Sequence, residues 1–167
     1  MGIFDRFKKN TDTLSMTSPV KGEVMNITQV ADPVFSSQAL GDGVGIKPES
    51  MQLYSPIAGE IVSVFPTKHA VGIKSIEGSV ELLIHIGIET VNLNGEGFAL
   101  SINQGDQVKQ GDLLGEVDFS MIEAKGYDPT VMVILTNSAD FSEIRCLEGA
   151  KESGDEIMTF KSTKEGK

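Results

Sequence analysis

The chain has 167 residues, 40% hydrophobic content, one cysteine and a formal net charge of -10 at pH 7. These values suit one globular domain with a substantial core and disfavour binding to nucleic-acid phosphates. Because Cys146 is the lone cysteine, an internal disulfide and a cysteine-based zinc site are excluded, and we interpret it as structural. We expect a cytoplasmic protein, since the sequence shows neither a membrane-spanning apolar run nor a secretory signal.

Both termini are predicted to lie outside the domain. Residues 1–16 are expected to be flexible, and residues 162–167 to be frayed. Within residues 1–10, apolar side chains including Phe4 and Phe7 share one helical face and basic residues outnumber acidic ones. This segment is either a weak, transient anchor at the membrane surface or a disordered terminus, since so short a helix is marginal in water.

The intervening residues 17–161 consist of short β-branched runs separated by glycine, which predicts an all-β domain. Ser18–Val24 (SPVKGEV) and Ser55–Ile61 (SPIAGEI) nearly repeat, and Val44–Lys47 (VGIK) is repeated at Val71–Lys74. The two pairs have different spacings, which argues against a solenoid. We therefore expect an antiparallel sandwich and barrel hybrid with an internally duplicated motif and few short helical turns.

Later elements follow the same pattern. Gly105-Asp106 and Gly111-Asp112 predict two tight turns. Ser120–Lys125 could form one helical turn, and the apolar run Val131–Leu135 predicts a strand covered on both faces. Ile157–Phe160 is predicted to form the last strand.

His69 and His85 are the two histidines of the chain, and each lies in a strand-like run. Alternation places Ile84 and Ile86 on one face and His85 on the other, so His85 need not occupy the deepest core. If the preceding run is extended, Thr67 and His69 share one face, and Thr67 could steady the site.

The segment Ser75–Ser79 is predicted to be the loop of a hairpin that brings the histidines together. A three-residue loop with Gly78 in the left-handed conformation would place His69 opposite His85. A two-residue turn would place Ala70 opposite His85, with the histidines diagonal across the ladder. In both registers the two side chains converge.

Two converging imidazoles suit phosphoryl transfer, because a neutral imidazole can attack phosphorus while a second donates hydrogen bonds to phosphoryl oxygens. Two ordinary sheet histidines with satisfied hydrogen bonds would give the same pattern. Zinc binding by His69 and His85 is a third interpretation, but it needs further ligands, such as a carboxylate from a partner.

Three ordered motifs carry a resemblance to a known family. They are Gly41–Pro48 (GDGVGIKP), Pro66–Ala70 (PTKHA) and Leu82–Phe98 (LLIHIGIETVNLNGEGF). Over roughly Thr17–Phe160 the chain resembles the glucose-type enzyme IIA of the bacterial phosphoenolpyruvate-dependent sugar phosphotransferase system.

The resemblance implies that His85 accepts the phosphoryl group, His69 stabilises it and Thr67 supplies a supporting hydroxyl. His85 would receive phosphate from the phosphocarrier histidine protein and pass it to an enzyme IIB domain during sugar uptake. No cofactor would be required, although zinc could bind at a partner interface. The unphosphorylated form would also regulate permeases or metabolic enzymes.

The resemblance also implies a partner-binding patch around the histidines. Its predicted members are Val34, Phe35, Val44, Phe65, Leu83, Ile86 and Glu89. The sequence departs from the family pattern in three places: Glu89 stands where Asp is usual, Gln38 replaces a common Lys, and the hairpin loop is longer.

Two other classes of protein share some of these features. Zinc endopeptidases on a similar duplicated β framework use His-x-x-x-Asp and His-x-His ligands, but here Ile73 and Gly87 occupy the required positions. A biotin or lipoyl carrier module is suggested by the turns in Gly105–Leu114, but a recognisable acceptor-lysine motif is missing.

Overall fold

The computed structural model describes residues 13–76 and 79–163. In these ranges the chain forms mainly antiparallel strands with a few short helices, as the sequence predicts. The strands are β1 Thr13–Thr17, β2 Gly22–Asn26, β3 Asp42–Pro48, β4 Gln52–Tyr54, β5 Gly59–Val64, β6 Ala70–Ser75, β7 Glu81–Ile86, β8 Phe98–Leu100, β9 Gln107–Val108, β10 Leu113–Val117, β11 Val131–Leu135, β12 Phe141–Cys146, β13 Gly149–Lys151 and β14 Glu156–Ser162. The α-helices are α1 Pro33–Ser36 and α2 Phe119–Ala124, and 3-10 helices span Ile27–Gln29, Thr90–Leu93 and Ser138–Asp140.

The ordered domain begins earlier than the sequence predicts. Residues 13–16, assigned by the sequence to a flexible N-terminal segment, form most of β1 and pair with β14. β14 in turn continues to Ser162, one residue past the predicted boundary. The predicted amphipathic helix over residues 1–10 lies outside the described residues. Among the helices that are described, none has the length and apolar character needed to cross a membrane.

One large antiparallel sheet carries the centre of the molecule, in the order β13-β2-β3-β11-β7-β6-β5-β9. Two three-stranded sheets, β1-β14-β12 and β4-β10-β8, complete the fold. The main hydrophobic core joins all three sheets and includes Ile84, Phe160 and Leu53. A second cluster covers the other face of β11 through Met132 and Ile134, so the fully apolar strand is buried on both faces, as predicted.

The predicted duplication appears as two similar hairpins. Ser18 Oγ donates to the carbonyl of Val20 and Ser55 Oγ donates to that of Ile57, both at 2.7 Å. A strand pair follows each of these turns, β2 with β3 and β5 with β6. β11 joins the two halves, because it pairs with β3 on one side and with β7 on the other. β7 in turn pairs with β6. The duplicated motif therefore builds the two flanks of one sheet.

The register of the β6–β7 hairpin decides between the two sequence alternatives. Ala70 lies opposite His85 and Val71 lies opposite Ile84. The backbone N–H of Ser75 donates to the carbonyl of Val80 at 2.9 Å, just before the loop. This is the register expected for a two-residue turn, and it places His69 one position beyond the residue that faces His85.

Candidate functional site

His85 lies near the end of β7, on the opposite face from the core. Leu82, Ile84 and Ile86 are buried, whereas His85 is half-buried, which confirms the predicted alternation. Its Nδ1 is 2.9 Å from the carbonyl oxygen of Gly87. A carbonyl can only accept a hydrogen bond, so Nδ1 carries the hydrogen of the neutral ring. The lone pair is therefore on Nε2.

The backbone after β7 turns sharply to place that carbonyl. Gly87 has φ 79° and Glu89 has φ 62°, both in the left-handed region. A Cβ on Gly87 would collide with the methyl group of Thr90, and the Thr90 hydroxyl donates to the carbonyl of Ile86. Glycine is thus needed at position 87 for both its backbone conformation and its lack of a side chain.

His69 lies in a turn and not in an extended strand, so that part of the prediction is wrong. The N–H of Lys68 donates to the carbonyl of Phe65 at 2.7 Å, and Lys68 itself has φ 63°. The turn nevertheless brings the predicted pair together, because Thr67 Oγ1 is 2.6 Å from His69 Nδ1. The hydroxyl donates or accepts according to the tautomer of the ring.

The two imidazoles contact each other edge to face, with ring centroids 5.0 Å apart and planes at 77°. Each ring also has a phenylalanine neighbour. Phe35 lies 4.9 Å from His85, and Phe65 lies 5.3 Å from His69, centroid to centroid. The histidines therefore contact each other, as the sequence predicts, and are flanked by two aromatic side chains.

Burial of the two imidazoles favours their neutral forms. Burial lowers the pKa of His69 below its ordinary value of 6.5. Burial also lowers the pKa of His85, and the positive charge that His69 can carry lowers it further. The hydrogen bond to the Gly87 carbonyl and the charge of Asp32 act in the opposite direction without reversing the shift. Both imidazoles are consequently mainly neutral at pH 7, and neutral His85 presents an unprotonated Nε2.

The comparison with protein families decides which family the chain belongs to. The model for the phosphoenolpyruvate-dependent sugar phosphotransferase system, EIIA 1, matches residues 14–141. The chain belongs to this family. The prediction made from the three sequence motifs is thereby confirmed.

Known proteins similar to this EIIA chain agree with the assignment. It is 40% identical to a "PTS system glucose-specific EIIA component" of Bacillus cereus over 153 residues, covering 90% of this chain and 91% of that protein. It is 42% identical to a "PTS system beta-glucoside-specific EIIBCA component" of Dickeya chrysanthemi over 145 residues. That match covers 87% of this chain but only 23% of the relative, so the chain spans about a quarter of that larger protein.

A solved structure has the same fold. The glucose permease IIA from Mycoplasma capricolum aligns with a TM-score of 0.80 and 34% sequence identity. The alignment covers 88% of this chain and 95% of the other. The all-β EIIA architecture predicted from the sequence is therefore confirmed by a solved relative.

The predicted partner-binding patch is only partly at the surface of this EIIA domain. Val34, Phe65 and Glu89 are exposed and Leu83 is half-buried, so these four can contact a partner. Phe35 is 5% exposed, so it supports the patch by packing against His85 and does not itself contact a partner. Two members, Val44 and Ile86, are wrongly predicted, because both are fully buried in the main core.

The two departures at single residues leave the histidines unaffected. Glu89 precedes the 3-10 helix at Thr90–Leu93 and makes no side-chain capping bond. Gln38 donates from Nε2 to Asp42 Oδ1 at 3.1 Å, which ties α1 to the start of β3. Neither side chain is among the groups that bond to His69 or His85.

The side chains that could bind a metal do not cluster in the part of the chain that the structure describes. Among the described residues, no group of three or more His, Cys, Asp or Glu side chains could hold a metal ion. His69 and His85 offer two nitrogens, so the zinc prediction still depends on a ligand from a partner. Burial, with the charges of Glu148 and Asp42, raises the pKa of the Cys146 thiol to about 11, so this side chain is neutral.

Two groups at the site were missed by sequence reasoning. The Gly87 carbonyl, which selects the His85 tautomer, is a backbone atom and has no sequence signal of its own. Asp32 caps α1 by accepting from the Val34 N–H at 2.8 Å, and its charge reaches His85. The Asp32-Pro33 pair is typical of a helix start and could have located this carboxylate.

Proposed function

We propose that His85 carries a phosphoryl group on Nε2, as the EIIA step of the sugar phosphotransferase relay. The observation that supports this most directly is the contact of His85 Nδ1 with the Gly87 carbonyl, 2.9 Å away. It leaves Nε2 as the nucleophilic nitrogen of a neutral ring, beside the second imidazole. A neutral imidazole with one fixed lone pair is suited to attack phosphorus at pH 7.

The transfer balances without an external base. As the bond between Nε2 and phosphorus forms, the bond between phosphorus and the donor nitrogen breaks, and the donor keeps that electron pair. His85 retains its hydrogen on Nδ1, so its imidazole ring carries a positive charge once Nε2 is bonded to phosphorus. The phosphoryl oxygens keep their own negative charge. The hydrogen bond to the Gly87 carbonyl stabilises that charge as it develops.

His69 and Thr67 would stabilise the phosphoryl group. When the Thr67 hydroxyl donates to His69 Nδ1 over 2.6 Å, His69 carries its own hydrogen on Nε2. That N–H can then donate to a phosphoryl oxygen on the adjacent His85. A donor already held in place stabilises the transition state at little reorganisation cost.

The partners in this proposal are those that the family resemblance implies. The donor in this proposal is the phosphocarrier histidine protein, and the acceptor is an enzyme IIB domain. The fused EIIBCA relative supports the second assignment, because its printed name joins EIIA to EIIB and EIIC in one protein. Glucose is the sugar that the name of the Bacillus cereus relative suggests.

Phosphorylation of the purified protein tests the carrier role. Incubation with phosphoenolpyruvate, enzyme I and the phosphocarrier histidine protein should yield an acid-labile, base-stable phosphoryl group. His85→Ala should abolish labelling, whereas the matched control His69→Ala, which removes the other imidazole, should retain it. Unchanged labelling of His85→Ala would show that the acceptor is wrongly assigned.

Transfer from the labelled protein tests the partner and the sugar. Purified EIIB domains of glucose and beta-glucoside permeases are offered in parallel, and the faster acceptor identifies the route. A regulatory role of the unphosphorylated form is tested by pull-down of permeases and metabolic enzymes with and without phosphate. Equal capture in both states would contradict regulation by phosphorylation.

A further inference from the structure

The peptide group that contacts His85 is anchored on its far side. The Gly87 carbonyl, which accepts from His85 Nδ1, belongs to the same peptide group as the N–H of Ile88. Because a trans peptide is planar, its C=O and N–H point in opposite directions. The Ile88 N–H donates to the backbone carbonyl of Asp128 at 2.9 Å. The bond to Asp128 therefore fixes the direction in which the Gly87 carbonyl points toward His85.

The side chain of Asp128 in turn fixes the backbone around it. Its Oδ1 accepts from the backbone N–H of Thr130 at 2.9 Å and from the Thr130 hydroxyl at 2.5 Å. Such an arrangement stabilises a tight turn. The carbonyl of the buried Thr130 accepts from the Gly87 N–H at 2.8 Å. One carboxylate thus holds both carbonyls to which the Gly87–Ile88 backbone is bonded.

We infer that Asp128 is a positioning residue, whose carboxylate keeps the hydrogen of His85 on Nδ1 by fixing the Gly87–Ile88 peptide. Three groups act in series: the His85 N–H, the peptide, and the Asp128 carbonyl. Hydrogen bonds in such a chain polarise one another, so the outer bond strengthens the inner one. Without the carboxylate the peptide can rotate, and the tautomer with hydrogen on Nε2 becomes populated; its Nε2 has no free lone pair with which to attack phosphorus.

Nitrogen NMR of the histidine rings tests the tautomer directly. Full-length, 15N-labelled protein is measured at pH 8, where His85 is neutral. Wild type should show hydrogen on Nδ1 alone, and Asp128→Ala should show a measurable population with hydrogen on Nε2. Asp128→Asn should restore the wild-type pattern, because its amide oxygen can accept the same two bonds. A wild-type pattern in folded Asp128→Ala would overturn the inference.

The rate of phosphorylation tests the consequence, which rests on the proposed function. Asp128→Ala should be phosphorylated roughly five- to tenfold more slowly, as expected for loss of one hydrogen bond in the chain. The control is Asp118→Ala, which removes a similar carboxylate that accepts from the Met121 N–H at 3.0 Å at the start of α2. Its rate should equal that of wild type, and an equal loss in both variants would contradict a specific role for Asp128.

A second substitution covers the case in which Asp128→Ala does not fold. Thr130→Val removes the hydroxyl donor and keeps the shape and the carbonyl, so it should shift the tautomer and the rate in the same direction by a smaller factor. An unchanged tautomer in that variant would count against the chain of bonds. If even wild type is not phosphorylated, the proposed function fails while the NMR result still decides the role of Asp128.

Discussion

The two related hairpins differ in what they bring to the centre of the sheet. Val71 of β6 pairs with Ile84, and its counterpart Val44 of β3 pairs with Val133. One position further along, His85 therefore corresponds to Ile134, which is 1% exposed and packs in the second hydrophobic cluster. The same scaffold thus holds a packing residue on one side and a half-buried imidazole on the other.

The connections between the two strands of each hairpin differ in the same way. After β2 the chain forms a 3-10 helix and α1, which supply the buried Phe35 and the carboxylate of Asp32. After β5 it forms the short turn that supplies Phe65, Thr67 and His69. The β5–β6 repeat therefore supplies side chains for phosphoryl transfer, and the β2–β3 repeat supplies apolar support. The following predictions test that division.

The largest effect on stability is expected at Phe35. Phe35→Ala should lower the free energy of unfolding by about 4 kcal/mol, because it removes a buried ring from the second cluster. Phe65→Ala should cost under about 1 kcal/mol, since the ring is 40% exposed, and should instead slow phosphoryl exchange with partners. Urea unfolding of both variants measures the difference. Equal losses of stability would refute the proposed division between support and chemistry.

The next largest effect is expected at His69. His69→Ala should still be phosphorylated, but discharge to an EIIB domain should slow by about 100-fold, because a preorganised donor to the phosphoryl oxygens is lost. Quenched-flow measurement with labelled protein separates the two steps. His69→Gln, whose amide can donate a hydrogen bond, serves as a control that should recover part of the rate. Loss of labelling in His69→Ala would instead reverse the roles of the two histidines.

A smaller kinetic effect is expected at Thr67. Thr67→Val keeps the shape of the side chain but removes the hydroxyl that contacts His69 Nδ1, and should slow discharge roughly fivefold. Thr67→Ser should restore the rate because it restores the hydroxyl. If valine and serine behave alike, the hydroxyl does not orient His69.

The smallest effect is expected on the pH dependence of stability. Burial lowers the pKa of both histidines below 6.5, so the unfolded chain binds more protons than the folded protein between the lowered values and 6.5. Stability should therefore rise with pH through that window and fall on acidification. Denaturant titrations between pH 7.5 and 5.5 should show a steeper loss in wild type than in the double variant His69→Gln, His85→Gln. Identical slopes would argue against neutral, buried imidazoles.

Much of this arrangement could be predicted from the sequence, because it depends on side-chain alternation and local repeats. The faces of β7, the burial of β11 and the convergence of the histidines follow from these patterns. Alternation could even have excluded Ile86 from the partner patch, since it shares a face with Ile84. The buried Val44 was misplaced because the run Gly43–Ile46 within its strand contains no polar side chain to mark which face is exposed.

Features set by tertiary contacts could not be predicted in this way. Lys68 adopts a left-handed conformation that its residue type does not indicate, so the turn before His69 resembled a strand. The Gly87–Ile88 peptide and the Asp128 carbonyl that accepts from its N–H are backbone groups, from segments about forty residues apart in the sequence. They fix the tautomer of His85, although no motif contains both.

The central claim is that Nε2 of His85 carries the phosphoryl group while Nδ1 keeps its hydrogen. Long-range nitrogen–proton NMR on the phosphorylated, 15N-labelled protein tests it most directly. We predict that the phosphoryl group is found on Nε2 of His85, with hydrogen still on Nδ1 and bonded to the Gly87 carbonyl. A phosphoryl group on Nδ1 of His85, or on His69, would contradict the account.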